Sequence, residues 1–426
     1  FNTLGLPTST TVSIVFELLG ASLAVGLLAL YYDPSRADSI WEMLNVSKAT
    51  QVIFGIFVSI GIAFTVGAIV QWFTRLLFTF RFEKNLKTFG PPFAAVSIAV
   101  IVYFALVKGL KGAVFLTTEQ ADYINNNALL IIAFAFVISL ILVIIIQRFL
   151  NYNPLKVVVL MGTFALAMAF AGNDLVNFIG VPIAAYEAYD AWQASGVGPG
   201  EFRMEMLAEK VKTNPLFLFA SGAIMVATLW LSGKAFRVVE TEVNLGSQTK
   251  VNERFKPNAL SRGIVQAADK LGKKIDSKIP RKTNAIINWR FRTLIDDTEG
   301  APAFDLVRAS VNLMVAAILI SFATSLKLPL STTYVTFMVA MGTSIADRAW
   351  GAGSAVYRVA GVLKVIGGWF MTALVAATSA GIVATIIYFG GNYVSLALFA
   401  VAAVVLIVSN RPRKGKGKTA GRKKFK

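Results

Sequence analysis

Asp174 is a carboxylate in an unexpected place. It lies in Ala171-Gly172-Asn173-Asp174-Leu175-Val176-Asn177, inside an otherwise apolar run from Leu155 to Trp192. A charged side chain at membrane depth costs about 2.5–3.5 kcal/mol on insertion scales, so it faces a cavity or a partner. Asp174 and Asn177 are three residues apart and share one helix face. A carboxylate beside amide and carbonyl oxygens suits a hard cation such as Na⁺. Asp174 is the candidate metal ligand, with Asn173 and Asn177 beside it. Gly172 and the polar pair predict a break in the helix, tolerated only where it lines protein or water. The plain alternative is an aspartate that caps the second half-helix.

A second group is built from hydroxyls, and the chain contains it twice. Leu6-Pro7-Thr8-Ser9-Thr10-Thr11 is echoed by Leu328-Pro329-Leu330-Ser331-Thr332-Thr333. The register continues downstream: Ser9 with Ser331, Gly20 with Gly342, Ser22 with Ser344, each offset by 322 residues. Proline fits the first turn of a helix, and Ser or Thr caps it, so both copies predict helix starts. A helix start inside the membrane aims free N–H groups and a positive dipole end at an anion. Ser9, Thr10, Thr11, Ser331, Thr332 and Thr333 add hydroxyl donors without adding charge. An ordinary capped helix at the membrane surface is the simpler reading of either copy alone.

Few other ionisable groups fall within apolar runs. Glu17 follows the first hydroxyl triplet by six residues and is a further candidate for a cation or proton. Gln71 and Gln147 lie near predicted helix ends and read as interfacial. Arg308 and Lys364 read as snorkelling or paired.

These groups need a membrane scaffold, and the composition supplies one. The 426 residues are 56% hydrophobic, and Ala128–Ile146 and Asn392–Asn410 carry no charge. The runs are continuous, which excludes the alternating strands of a β-barrel. The reading is an all-α polytopic membrane protein. Helices are predicted over Leu6–Leu30, Ala49–Phe80, Phe89–Leu110, Ala128–Leu150, Leu155–Trp192, Pro215–Leu231, Leu306–Ser325, Pro329–Asp347, Tyr357–Phe389 and Val394–Ser409, about 10 in all. The Gly112–Asn127 stretch reads as a loop carrying Glu119 and Asp122. Lys234–Ala303 reads as polar and mostly non-periodic, with surface helices. Cys 0 and His 0 exclude disulfides, thiolate metal sites, imidazole ligands and His-based triads, and with them most hydrolase chemistry.

The net charge of +18 is concentrated at the flanks; Arg411–Lys426 holds nine basic residues and no acid. By the positive-inside rule the C-terminal tail, the Lys234–Ala303 loop and the Arg81–Lys87 and Arg148–Lys156 turns are cytoplasmic. The acidic loops Tyr31–Lys48 and Gly112–Asn127 then fall outside. On this count Pro7 and Pro329 begin helices from opposite sides, which predicts an inverted repeat with a hairpin near the midplane. A weaker echo pairs Gln71-Trp72-Phe73 with Gly368-Trp369-Phe370.

Positive helix ends and hydroxyls suit an oxyanion, and a nearby carboxylate repels that anion unless a cation lies between them. Carrying an anion into a negative-inside cell costs roughly 2.3 kcal/mol per charge per 100 mV, which co-transported cations offset. Ion-coupled symport therefore fits better than a bare anion channel.

At this point the Gly172–Asn177 motif and the two LPxSTT copies resemble the inorganic phosphate transporter (PiT) family of sodium- or proton-coupled symporters. The resemblance covers most of the chain. It implies an inverted repeat, each half with a GxNDxxN helix and an xPxSTT hairpin. It also implies a central site made by Asp174, Asn177, Ser331, Thr332 and Thr333 from one half and Ser9, Thr10 and Thr11 from the other. The GxNDxxN partner of the first half is missing, so an N-terminally truncated chain is expected. Many relatives place His after STT where this chain has Val12 and Tyr334, which favours Na⁺ over H⁺.

The expected division is 1–150 for the incomplete first repeat and following helices, 151–233 for the start of the second, 234–303 for a cytoplasmic loop, 304–410 for the remaining helices, and 411–426 for a basic tail. The expected function is symport of inorganic phosphate with Na⁺ or H⁺ in a cell (inner or plasma) membrane, with no enzymatic activity and no cofactor. Its partners are phosphate, the coupling ion and the lipid bilayer; the reading allows a homodimer and gives no role to nucleic acid. A permease for another oxyanion such as sulfate, or an anion channel, is the rival.

Overall fold

The described residues of the computed structural model are 7–36, 39–104, 118–198, 201–202, 204, 213–231, 240–248, 255–292, 302–326, 328, 330–350 and 354–410. The basic tail, Pro329, and parts of the Gly112–Asn127 and Lys234–Ala303 stretches lie outside them. In chain order the helices are α1 (Thr10–Tyr32), α2 (Ile40–Met43), α3 (Val46–Phe78), α4 (Glu83–Ile101), α5 (Thr118–Asn126), α6 (Ala128–Phe149), α7 (Pro154–Ser195), α8 (Pro215–Leu231), α9 (Ala259–Asp276), α10 (Arg281–Arg290), α11 (Leu306–Ser325), α12 (Thr332–Ala346) and α13 (Ala355–Asn410). No strand occurs among the described residues. Seven of these helices are long and apolar enough to cross a membrane, and Pro215–Trp230 is a shorter apolar helix. The chain is a polytopic helical membrane protein.

Helix starts follow the capping residues. Asn153 accepts from the Leu155 amide at 2.9 Å and Pro154 occupies the first turn of α7. Asp305 accepts from the Arg308 amide at 3.0 Å to begin α11. Ser331 accepts from the Tyr334 amide at 3.2 Å to begin α12. Gly196, at φ 68°, ends α7 in the left-handed region that glycine tolerates without strain.

Two predictions are corrected here. The helix is not broken at Gly172: α7 runs unbroken for 42 residues, with Asp174 at its centre. Glycine in a helix interior costs about 1 kcal/mol. Opening the helix in apolar surroundings would leave backbone groups unpaired at several kcal/mol each. The Asn173 side chain donates to the Asp174 carboxylate at 3.1 Å, and neither residue caps a half-helix. The Gly112–Asn127 stretch is also not all loop, since α5 occupies its end. The last two predicted helices are both present within α13, joined at Gly391, whose φ of 62° and ψ of −156° kink the chain between them.

Two compact units divide the chain. The first comprises 1–11, 51–295 and 303–369, and the second 12–50, 296–302 and 370–426. In the first unit, α7 packs on α11 and α4 through small side chains. Ala94, Ile98, Val143 and Val158 form one buried cluster, and Ile101, Ala165 and Ala317 another. A Cβ on Gly162 would lie 2.9 Å from the Leu313 Cβ, so α7 and α11 sit at a separation only glycine allows. The outward face of α6 stays apolar and exposed at Leu129, Phe134 and Ile138, as a lipid-facing helix requires. α11 and α12 form an antiparallel hairpin: Thr343 donates to Asn312 at 2.6 Å, and Arg308 to Ser344 at 2.9 Å.

In the second unit, α1 and the latter part of α13 meet at Gly20, where a Cβ would fall 2.1 Å from the Ala377 carbonyl oxygen. The same device recurs at Gly342 in the first unit, where a Cβ would fall 2.2 Å from the Phe64 carbonyl oxygen. Gly20 and Gly342 are the pair that the 322-residue register aligned.

Candidate functional site

Both hydroxyl copies precede or open a helix at the same register position. α1 begins at Thr10 and α12 at Thr332, 322 residues apart. Ser331, fully buried, caps α12, and Ser9, also buried, holds the corresponding position before α1. The turn before α1 is held in place by Trp369, whose indole donates to the Pro7 carbonyl at 3.0 Å. That indole stacks on Tyr334, with ring centres 3.7 Å apart.

The helix starts aim their threonines at the centre of α7. Thr332 Oγ1 donates to Asp174 Oδ2 at 2.7 Å. Thr10 Oγ1 donates to Asp174 Oδ1 at 3.4 Å. Asn173 donates to Oδ1 at 3.1 Å and Asn177 to the same oxygen at 3.4 Å. Asn177 also donates to Thr11 Oγ1 at 3.0 Å and Thr10 Oγ1 at 3.4 Å. One carboxylate thus accepts from both copies of the repeated motif, one copy on each oxygen. Every donor is neutral. No lysine or arginine pairs with Asp174 among the described residues.

Of the sequence candidates, Asp174, Asn173, Asn177, Thr10, Thr11 and Thr332 therefore come together. Ser9 and Ser331 lie one residue behind as helix starts, and the half-buried Thr333 carries its hydroxyl outside these bonds. Glu17 is half-buried further along α1, in the second unit, and takes no part in the cluster's hydrogen bonds.

Sequence reasoning missed a second polar centre. Arg75 on α3 forks to two carboxylates. It reaches Asp347 through Nε at 2.8 Å and Nη2 at 2.6 Å, and Asp305 through Nη1 at 2.7 Å and Nη2 at 3.0 Å. Arg308 Nε lies 3.5 Å from Asp347 Oδ2, and its Nη1 donates to the Gly246 carbonyl at 2.6 Å. Arg75, Arg308 and Asp347 are fully buried. Gln71 is not interfacial: it is fully buried and donates to Asp347 Oδ1 at 2.8 Å, because Asp347 has acceptor capacity that Arg75 leaves unused. The sequence signals are Arg308, read as snorkelling or paired and found paired, and an acid at each end of an apolar run, Asp305 before Leu306 and Asp347 after Ala346. The Tyr334 hydroxyl is buried without a hydrogen-bond partner among the described residues.

A bundle of apolar helices with a half-buried carboxylate at the centre of one, and only neutral donors converging on it among the described residues, fits the transporter class of membrane proteins. The family comparison is more specific. The sequence model of the phosphate transporter family (PHO4) matches residues 1–242, more than half of the chain, and the chain belongs to that family. Its coarse function is phosphate transport across a membrane. Among curated proteins and among solved structures nothing matches. The matched region contains the first hydroxyl copy and Asp174 but ends well before Thr332.

Proposed function

We propose that the protein is a cation-coupled symporter of inorganic phosphate working by alternating access, with Na⁺ as the coupling ion. One observation carries the reading: Thr10 and Thr332, from the two motif copies, both donate to Asp174. A carboxylate with only neutral donors keeps its negative charge available for a mobile cation. When the cation occupies Asp174, it takes the lone pairs that now hold the two hydroxyls. Thr10 and Thr332 are then free to donate to an oxyanion. Cation binding in this way prepares the anion site, and the cation screens the carboxylate from the phosphate.

In this reading Asp174, Asn173 and Asn177 hold the cation. Ser9, Thr10, Thr11, Asn177, Ser331, Thr332 and Thr333 surround the phosphate. Glu17 is a second cation candidate. The two halves are inverted repeats, which the matched helix starts at Thr10 and Thr332 and the matched glycines support. The residue ranges 1–150, 151–233, 234–303, 304–410 and 411–426 and a cytoplasmic C-terminus belong to the same proposal.

The test is phosphate uptake into proteoliposomes carrying the full chain, with and without an inward Na⁺ gradient. Uptake is expected to depend on Na⁺, to be lost in Asp174→Asn, and to resist excess sulfate. Equal uptake without Na⁺, or robust uptake by Asp174→Asn, would overturn the assignment. A proton gradient that replaces Na⁺ would move the coupling ion to H⁺.

A further inference from the structure

Where α3 ends, the backbone turns sharply. Thr79 takes a φ of 60°, unusual for a β-branched residue, and its hydroxyl accepts from the Arg81 amide at 3.2 Å. Asn85 reaches back to close the helix end, donating to the Leu77 carbonyl at 3.1 Å. Beside this turn lies a cavity of about 300 Å³. Arg81, Lys84, Arg290 and Arg292 line it, with Asn85 and Trp289, and no acid is among its lining residues. Arg81, Lys84 and Arg292 are exposed and form no ion pair among the described residues.

The cavity's far wall is α10, and α10 is fixed. Arg290 donates to the Leu76 carbonyl, Phe291 is buried and stacks on Trp72 with centres 6.3 Å apart, and Arg348 donates to Asn288 at 2.8 Å. The cations are therefore arrayed around a preformed hollow, not scattered on a mobile loop. An apolar surface adjoins it: the lining residue Trp289 is 69% exposed, and Ile286, three residues earlier on α10, is 58% exposed. The hollow also adjoins Phe78, the last residue of the apolar span Ala49–Phe78.

We propose that this pocket binds the phosphate of an anionic lipid headgroup. Three exposed cations without ion pairs among the described residues, with Arg290 beside them, supply the charge and donors that a phosphodiester takes, each worth about 1 kcal/mol near an anionic surface. A free phosphate ion has no use for the exposed indole and isoleucine, whereas a lipid brings acyl chains to cover them. Indole rings prefer the headgroup level of a bilayer, where the end of a membrane-crossing helix sits. The pocket is distinct from the Asp174 cluster and shares no residue with it.

The experiment is native mass spectrometry of the full chain in detergent with added phosphatidylglycerol or phosphatidylcholine. Wild type is expected to retain phosphatidylglycerol at concentrations where phosphatidylcholine is lost. The triple variant R81Q/K84Q/R292Q is expected to bind phosphatidylglycerol at least about tenfold more weakly. K270Q/K273Q/K274Q on α9 removes the same charge elsewhere and is expected to bind as wild type does. Equal weakening by the two triple variants, or equal retention of the two lipids, would overturn the pocket. Displacement of phosphatidylglycerol by millimolar inorganic phosphate would assign the hollow to the free ion and also overturn the proposal. If the first triple variant fails to fold, Lys84→Gln alone replaces it. Lys84 is exposed and bonded to nothing described, and about fivefold weaker binding is expected.

Discussion

Two carboxylates at helix contacts, the half-buried Asp174 and the fully buried Asp347, are solvated by opposite means. Asp347 is fully buried and bound bidentately by Arg75, with Arg308 and Gln71 beside it. Asp174 is half-buried and meets only two threonines and two asparagines. Full compensation makes Asp347 a fixed joint between the ends of α3, α11 and α12. Partial compensation leaves Asp174 with charge to spare at the centre of α7. Removing one partner of a buried pair strands the other charge, while removing a charge held only by neutral donors strands nothing. The two sites should therefore fail in different ways.

The largest effect should follow from Asp347→Ala. It leaves Arg75 with Asp305 alone and Arg308 without its carboxylate. A loss of about 3–5 kcal/mol is expected, read as a fall in the unfolding midpoint of the detergent-purified chain. Asp174→Asn in the same assay should stay within about 1 kcal/mol of wild type, since an amide keeps the shape and two hydroxyls can turn to it. If Asp174→Asn destabilises as much as Asp347→Ala, the contrast between joint and site collapses.

Cation binding gives the next largest effect. A ligand that binds only the folded state stabilises it by about 2.7 kcal/mol at a hundred times its Kd. Saturating Na⁺ is expected to raise the wild-type midpoint and to leave Asp174→Asn unmoved. A Na⁺ shift that survives Asp174→Asn would place the cation elsewhere, with Glu17 the next residue to change.

These contrasts also show what the sequence could carry. The Asp174–Asn177 spacing and the LPxSTT copies are local signals: a helix period and a cap, each decided within a few residues. They put Thr10 and Thr332 at helix starts and Asp174 beside Asn177. The Arg75–Asp347 pair is separated by 272 residues. Each member alone looks like an ordinary flanking charge, so Gln71 was read as interfacial when it is buried. The continuity of α7 through Gly172 was misread for a related reason. Glycine and Asn-Asp weaken a helix in water, but apolar surroundings penalise open backbone groups far more. Where the two motif copies meet is a tertiary fact that no single window contains.

Within the Asp174 cluster the two threonines are unequal. Thr332 is 2% exposed and donates at 2.7 Å, whereas Thr10 donates at 3.4 Å. A hydrogen bond to a charged group contributes about 1.5–3 kcal/mol when well formed. Thr332→Ala is expected to weaken phosphate uptake by about tenfold or more in KM, and Thr10→Ala by a few-fold. Thr→Ser at either position should restore uptake, because the hydroxyl and not the methyl is used. Equal losses at the two positions would mean that the hydroxyl geometry rearranges when the site fills.

The smallest effect tests how complete the Asp347 joint is. Gln71 donates to Asp347 at 2.8 Å, yet its Oε1 is buried with no partner among the described residues. Its replacement by methionine removes a useful donor and an uncompensated acceptor together. The bond to the carboxylate contributes about 1.5–3 kcal/mol and the orphaned oxygen costs about 1–3 kcal/mol, so the two largely offset and Gln71→Met should change stability by less than about 1 kcal/mol. A loss for Gln71→Met approaching that of Asp347→Ala would mean that Gln71, not Arg75, sets the position of the Asp347 carboxylate.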